Sequence, residues 1–174
     1  MTILPTAQAA ELPDGLSVPY LEQGDRTGVP LILLHGITDS HRSFEPVLAA
    51  LPDSIHAFAI TARGHGDAGK PETGYTAAEM AADVIAVMDV AGIERAIVVG
   101  HSMGSWSAQR VAAGHPDRVI GAVLAGAFAT FHGRSDMVAS GRSSARSAIR
   151  STRPMPARGR RARSRARSRR ASCP

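Results

Sequence analysis

The sequence predicts an α/β fold with a mostly parallel, doubly wound sheet, and three observations lead there. The runs Leu31-Ile32-Leu33-Leu34, Ala96-Ile97-Val98-Val99 and Val119-Ile120-Gly121-Ala122-Val123-Leu124 are apolar without alternation, the pattern of strands buried on both faces. Between such runs lie segments whose apolar residues recur at helical spacing. Strand and helix therefore alternate, and parallel strands joined through helices cross over right-handedly. At 174 residues and 44% apolar content, the chain suits one domain of ordinary size.

Residues 16–23 are a short mixed run, and Pro19 within it suits an edge strand better than a central one. Gly28-Val29-Pro30 introduces the first buried strand, which stops at His35-Gly36. Asp39 or Ser40 then caps a helix through Phe44, Val47, Leu48 and Leu51. Residues 55–60 make the next strand, ending at Thr61-Ala62-Arg63-Gly64-His65-Gly66. Thr76-Ala77-Ala78-Glu79 is a capping box, in which the threonine oxygen and the glutamate carboxylate satisfy orphan amides reciprocally. The helix it opens carries Met80, Val84, Val87, Met88 and Ala91, and Gly92 closes it. Strand 96–99 turns out through Gly100-His101-Ser102-Met103-Gly104 into a helix that runs to Gly114, with Pro116 as a stop. The run from Val119 is read as the last buried strand.

The net charge of +5 is an average over two unlike pieces. Residues 1–140 carry all fifteen acids and eight basic residues, a net of −7. Residues 141–174 carry twelve arginines and no acid. In that tail Arg, Ser, Ala and Pro fill 28 of 34 positions, too little apolar area to offset chain ordering, so it reads as a disordered segment. Such a tail can bind polyanions non-specifically. It has no aromatic residue for base stacking, and the domain before it is acidic, so a nucleic-acid role is the alternative reading only. No apolar run approaches the roughly 18–20 residues of a spanning helix, which argues against a membrane partner. The lone Cys173 excludes an internal disulfide framework and a cysteine-based zinc site. With no export signal visible at the N-terminus, the expected compartment is the cytoplasm. No metal and no cofactor are expected.

The chemistry centres on Ser102. Gly-x-Ser-x-Gly between a strand and a helix is the pattern of a nucleophile elbow, a turn so tight that its neighbours must be small. Gly100 and Gly104 supply that room. The turn lifts the serine oxygen clear of the sheet and sets the Met103 amide at a helix N-terminus, aimed at a developing oxyanion.

Four pieces now resemble one family: Leu33-Leu34-His35-Gly36-Ile37, Arg63-Gly64-His65-Gly66-Asp67, Gly100-His101-Ser102-Met103-Gly104 and His115-Pro116-Asp117-Arg118-Val119. In order and separation they resemble the α/β-hydrolase fold enzymes, in the serine esterase, lipase and cofactor-free haloperoxidase-like branch, over residues 16–131. The resemblance implies an ester-like acyl substrate, Ser102 as nucleophile, and the amides of Ile37 and Met103 as oxyanion hole. A serine at this position argues against the epoxide-hydrolase and haloalkane-dehalogenase branches, which use aspartate. His35 and Gly36 are read as support for the oxyanion loop, and His101 as a neighbour that points away from the nucleophile. His65 and Asp67 are read as loop-shaping, and Trp106 and Met103 as pocket lining or core.

In relatives an acid follows a later strand and a histidine follows in a late loop. After Phe131 the only histidine is His132 and the only acid is Asp136, both too early for those roles. A serine without its base is a weak nucleophile, so the chain is expected to be impaired or inactive. Arg, Ala, Gly, Pro and Ser are what GC-rich DNA tends to encode out of frame. A frameshift between about Asp136 and Arg153 is therefore expected, dividing the chain into the N-terminal part of a hydrolase domain (1–140) and the tail (141–174). Strand 119–124 would then be an open apolar edge, and the chain aggregation-prone.

Overall fold

The computed structural model describes residues 4–127. The Arg-rich tail, the proposed frameshift junction, His132 and Asp136 lie outside the described residues. Within them six strands form one sheet in the order β1-β2-β4-β3-β5-β6. The strands are β1 (Thr6–Glu11), β2 (Ser17–Gln23), β3 (Val29–Leu34), β4 (Ile55–Ile60), β5 (Ala96–His101) and β6 (Val119–Ala125). β1 and β2 pair antiparallel, as do β2 and β4, while β4, β3, β5 and β6 run parallel.

The helices divide between the two faces. On one face α2 (Ala77–Val90) and α3 (Met103–Gly114) pack over Val18, Ile32, Phe58 and Val98, burying Val84, Val87, Met88 and Val111. On the other, α1 (Glu45–Ala50) sets Leu48 onto Leu33, Ala57 and Ala59. β3 and β4 contribute alternate residues to both cores, which is why their sequences are apolar with little alternation.

Local sequence accounts for the helix ends. Ser40 accepts a bond from the Arg42 amide and caps a 3₁₀ turn over His41–Phe44, which leads into α1 with Pro46 in its first turn. The capping box at Thr76 and Glu79 forms as expected, and Gly92 leaves α2 with φ +70°.

Two expectations need correction. The sequence gives no strand before residue 16, yet β1 forms the outer edge, with Ala10 its only buried residue. β2 is consequently interior. Pro19 is tolerated there because its carbonyl accepts from the Thr61 amide at 2.8 Å, just past the end of the β2–β4 ladder, whose last pair is Tyr20 with Ile60. In an extended strand a residue's nitrogen faces the same side as its carbonyl, so the missing N–H costs no ladder bond. Although its composition reads as that of a buried strand, β6 is the open apolar edge expected of strand 119–124: Ile120 is 50% and Val123 52% exposed. Among the described residues β6 pairs with β5 alone, and α3 covers it from one side only.

An uncharged strand with apolar residues at the sheet edge recruits other chains. Val123→Lys should therefore reduce hydrophobic-dye binding and aggregation, while shifting the unfolding midpoint by the equivalent of no more than about 0.5 kcal/mol. Unchanged dye binding in the variant would show that β6 is not the adhesive surface.

Candidate active site

The C-terminal ends of β3, β4 and β5 bring the sequence-predicted residues to one place. Ser102 stands between β5 and α3 with φ 50° and ψ −112°, the only described non-glycine residue at positive φ. Such a conformation costs on the order of 1–3 kcal/mol and persists only where its surroundings dictate it. Three backbone bonds do so. The Ser102 amide donates to the Ala125 carbonyl at 2.8 Å, the Gly104 amide to the His35 carbonyl at 3.0 Å, and the Ser105 amide to the Ser102 carbonyl at 3.0 Å.

The two glycines of the turn are required by contact, not by φ. A Cβ on Gly100 would lie 2.3 Å from the Gly104 carbonyl oxygen, and one on Gly104 would lie 2.2 Å from the Leu34 carbonyl oxygen. β5, α3 and β3 therefore approach each other at backbone-to-backbone distance.

Facing the turn is the loop after β3. Buried His35 accepts from the Ala62 amide at Nε2 (3.0 Å), so its hydrogen is on Nδ1, which donates to the Gly36 carbonyl at 2.7 Å. Burial above all lowers its pKa to about 4. Both nitrogens of His35 are thus committed to the backbone and its ring stays neutral. Gly36 is hemmed in, because a Cβ there would meet His101 Nδ1 at 3.1 Å and Asp39 Oδ2 at 3.2 Å. The exposed His101 ring therefore lies against the loop. Met103 is buried and opens α3, so its amide precedes any intrahelical acceptor and sits at the positive end of the helix dipole. Among the described residues neither the Met103 amide nor the Ile37 amide donates a hydrogen bond, whereas the Ser102 and Gly104 amides on either side of Met103 do. No hydrogen bond reaches Ser102 Oγ from a described residue either.

Two features escaped sequence reading. His41 is buried, with its ring Nδ1 2.6 Å from Thr61 Oγ1 and its pKa lowered, first by burial. Nothing in its sequence context distinguishes it from a surface residue. Arg63 binds Asp83 of α2 in a bidentate buried pair, through Nε at 2.6 Å and through its second nitrogen, and also donates to the Gly74 carbonyl at 2.8 Å. The signal was available: Asp83 falls on the apolar stripe of α2, between Met80 and Val87, where a carboxylate needs a partner. Among the described residues no group of three or more potential metal ligands is found.

Comparison with known proteins places this geometry. A model of the alpha/beta hydrolase fold matches residues 29–148. The 2-(acetamidomethylene)succinate hydrolase of Mesorhizobium japonicum is 39% identical over 93 residues, 53% of this chain and 34% of that protein. The non-heme chloroperoxidase of Streptomyces lividans is 34% identical over 125 residues, 71% of this chain and 45% of that protein. Among solved structures, the epoxide hydrolase CorEH superposes with a TM-score of 0.65 at 32% identity, covering 69% of this chain and 41% of that one. The chain thus spans less than half the length of these relatives.

Two outcomes follow. Gly104→Ala should unfold the turn or cost at least about 2 kcal/mol in denaturant unfolding, because its Cβ meets immobile backbone. A near-neutral effect would mean that β3 and α3 can separate. For His35, the pKa is lower in the folded than in the unfolded chain. The unfolded state therefore binds more protons below about pH 6.5, and stability falls as pH drops from there towards 4. His35→Asn should flatten that slope, which is worth up to about 3 kcal/mol in the wild type.

Proposed function

The chain belongs to the α/β-hydrolase fold family, and from that premise we propose that it is a serine hydrolase of the carboxylic ester type. Ser102 is the nucleophile, and the amides of Ile37 and Met103 form the oxyanion hole. The observation that carries this reading is a serine forced into a strained turn, followed by the uncommitted Met103 amide and faced by the loop that carries the uncommitted Ile37 amide. Such donors stabilise charge that develops on an acyl oxygen, and each is worth about 10²–10³ in kcat. His35, Gly36, Gly100, His101 and Gly104 support the two loops without touching the reacting atoms. A serine at position 102 favours acyl transfer over the epoxide opening for which the solved relative is named.

The chain as it stands is proposed to be catalytically impaired. A nucleophilic serine needs a hydrogen-bonded base. Among the described residues none binds Ser102 Oγ, and His35 spends both ring nitrogens on the backbone. The tail adds a proposed salt-sensitive affinity for polyanions without sequence preference. Retention on a phosphate-rich column should therefore fall when residues 141–174 are removed.

A fluorophosphonate probe should label the wild-type chain slowly, and Ser102→Ala should abolish the label. Turnover of a short-chain p-nitrophenyl ester should stay near background. Equal labelling of both proteins would remove Ser102 from its role. Rapid, Ser102-dependent turnover would show that a base is present after all.

A further inference from the structure

The loop after β3 and the loop after β4 exchange histidines. His35, from the first, takes the Ala62 amide of the second onto Nε2 at 3.0 Å. His65, from the second, sets Nε2 3.0 Å from the Ile37 carbonyl of the first. The two rings lie edge to face with centroids 5.2 Å apart. Each loop is thus held by the other's side chain, across 27 and 28 residues of sequence. The clasp is anchored to α2, because Arg63, whose carbonyl lies 2.9 Å from His65 Nδ1, is locked onto Asp83 by the buried bidentate pair.

We propose that His65 is a positioning residue for the oxyanion loop: its Nε2–H donates to the Ile37 carbonyl and holds the adjoining Ile37 amide in register with that of Met103. The inference rests on the oxyanion role of Ile37 given above. A carbonyl oxygen can only accept, so each of the two contacts, to Arg63 and to Ile37, needs a hydrogen on its own ring nitrogen, and the proposal assigns one to Nε2. The need for such a brace is local. Ile37 is only half-buried, Gly36 before it has no side chain to pack, and the amide that faces substrate makes no bond of its own. The loop's other ties are at His35 and in the turn from the Gly36 carbonyl to the Asp39 amide, at 3.1 Å. Without His65, the Ile37 carbonyl has no other described partner and its peptide can rotate. An amide displaced by about 1 Å forfeits up to roughly 10²-fold in rate.

The test uses the full chain and two variants. His65→Phe keeps a ring against His35 but removes both nitrogens, and His65→Gln keeps an amide donor. Hydrogen exchange of the peptide covering residues 35–40 and the rate constant for fluorophosphonate labelling of Ser102 are measured for each. His65→Phe is expected to speed exchange in that peptide and to slow labelling at least about tenfold. His65→Gln is expected to restore both to within about threefold of the wild type. The ¹⁵N spectrum of wild-type His65 should show a protonated Nε2. An Nε2 without hydrogen, or exchange and labelling in His65→Phe equal to the wild type, would overturn the inference. If both variants lose labelling and exchange protection alike, the residue fills space and its donor is irrelevant, which also overturns it. A wild type with no Ser102-dependent labelling would defeat the proposed function instead, while the exchange and ¹⁵N results still decide whether the clasp exists.

Discussion

A backbone that would not choose its own conformation sits at the centre of this molecule. Ser102 at φ 50° is tolerable only because β5 delivers the chain and α3 removes it at fixed angles, with the loop after β3 and the strand β6 each tied to the turn by a single hydrogen bond. The strain is offset by packing beneath it, where Val98, Val111 and Ala108 are fully buried. Everything that makes the site follows from that turn. Gly100 and Gly104 are glycines because backbone meets backbone there, and the Met103 amide is free because a helix must begin one residue after the serine.

The second constraint is the disposal of polar groups in tight loops. The loops after β3 and β4 contain two histidines and an arginine close to the sheet, and the structure assigns each to backbone carbonyls, backbone amides or Asp83. A polar group left unpaired in such surroundings would cost about 1–3 kcal/mol. Commitment to these bonds explains why burial leaves His35 neutral.

Much of this was legible in sequence, for identifiable reasons. β3, β4 and β5 are buried on both faces and so appear as apolar runs. The capping box and the elbow each depend on residues a few positions apart. What could not be read depended on distant partners. β1 carries Thr6-Ala7-Gln8-Ala9-Ala10-Glu11, with almost nothing to bury, and it exists because β2 offers it a ladder. Pro19 signalled an edge because the offset between β2 and β4 is invisible in a single segment. β6 has the composition of a buried strand and stands as an open edge, which its own segment does not reveal but the polar sequence after it does. The clasp between His35 and His65 joins loops nearly thirty residues apart, so sequence yielded both residues but not their exchange.

In the proposed mechanism the strained serine and the two uncommitted amides act on one acyl group. A crystal structure of the chain after reaction with a phosphonate ester tests it most directly. Phosphorus should be bonded to Ser102 Oγ, with the phosphonyl oxygen about 2.7–3.1 Å from both the Ile37 and the Met103 amide nitrogens. An adduct on another residue, or a phosphonyl oxygen turned away from both amides, would contradict it.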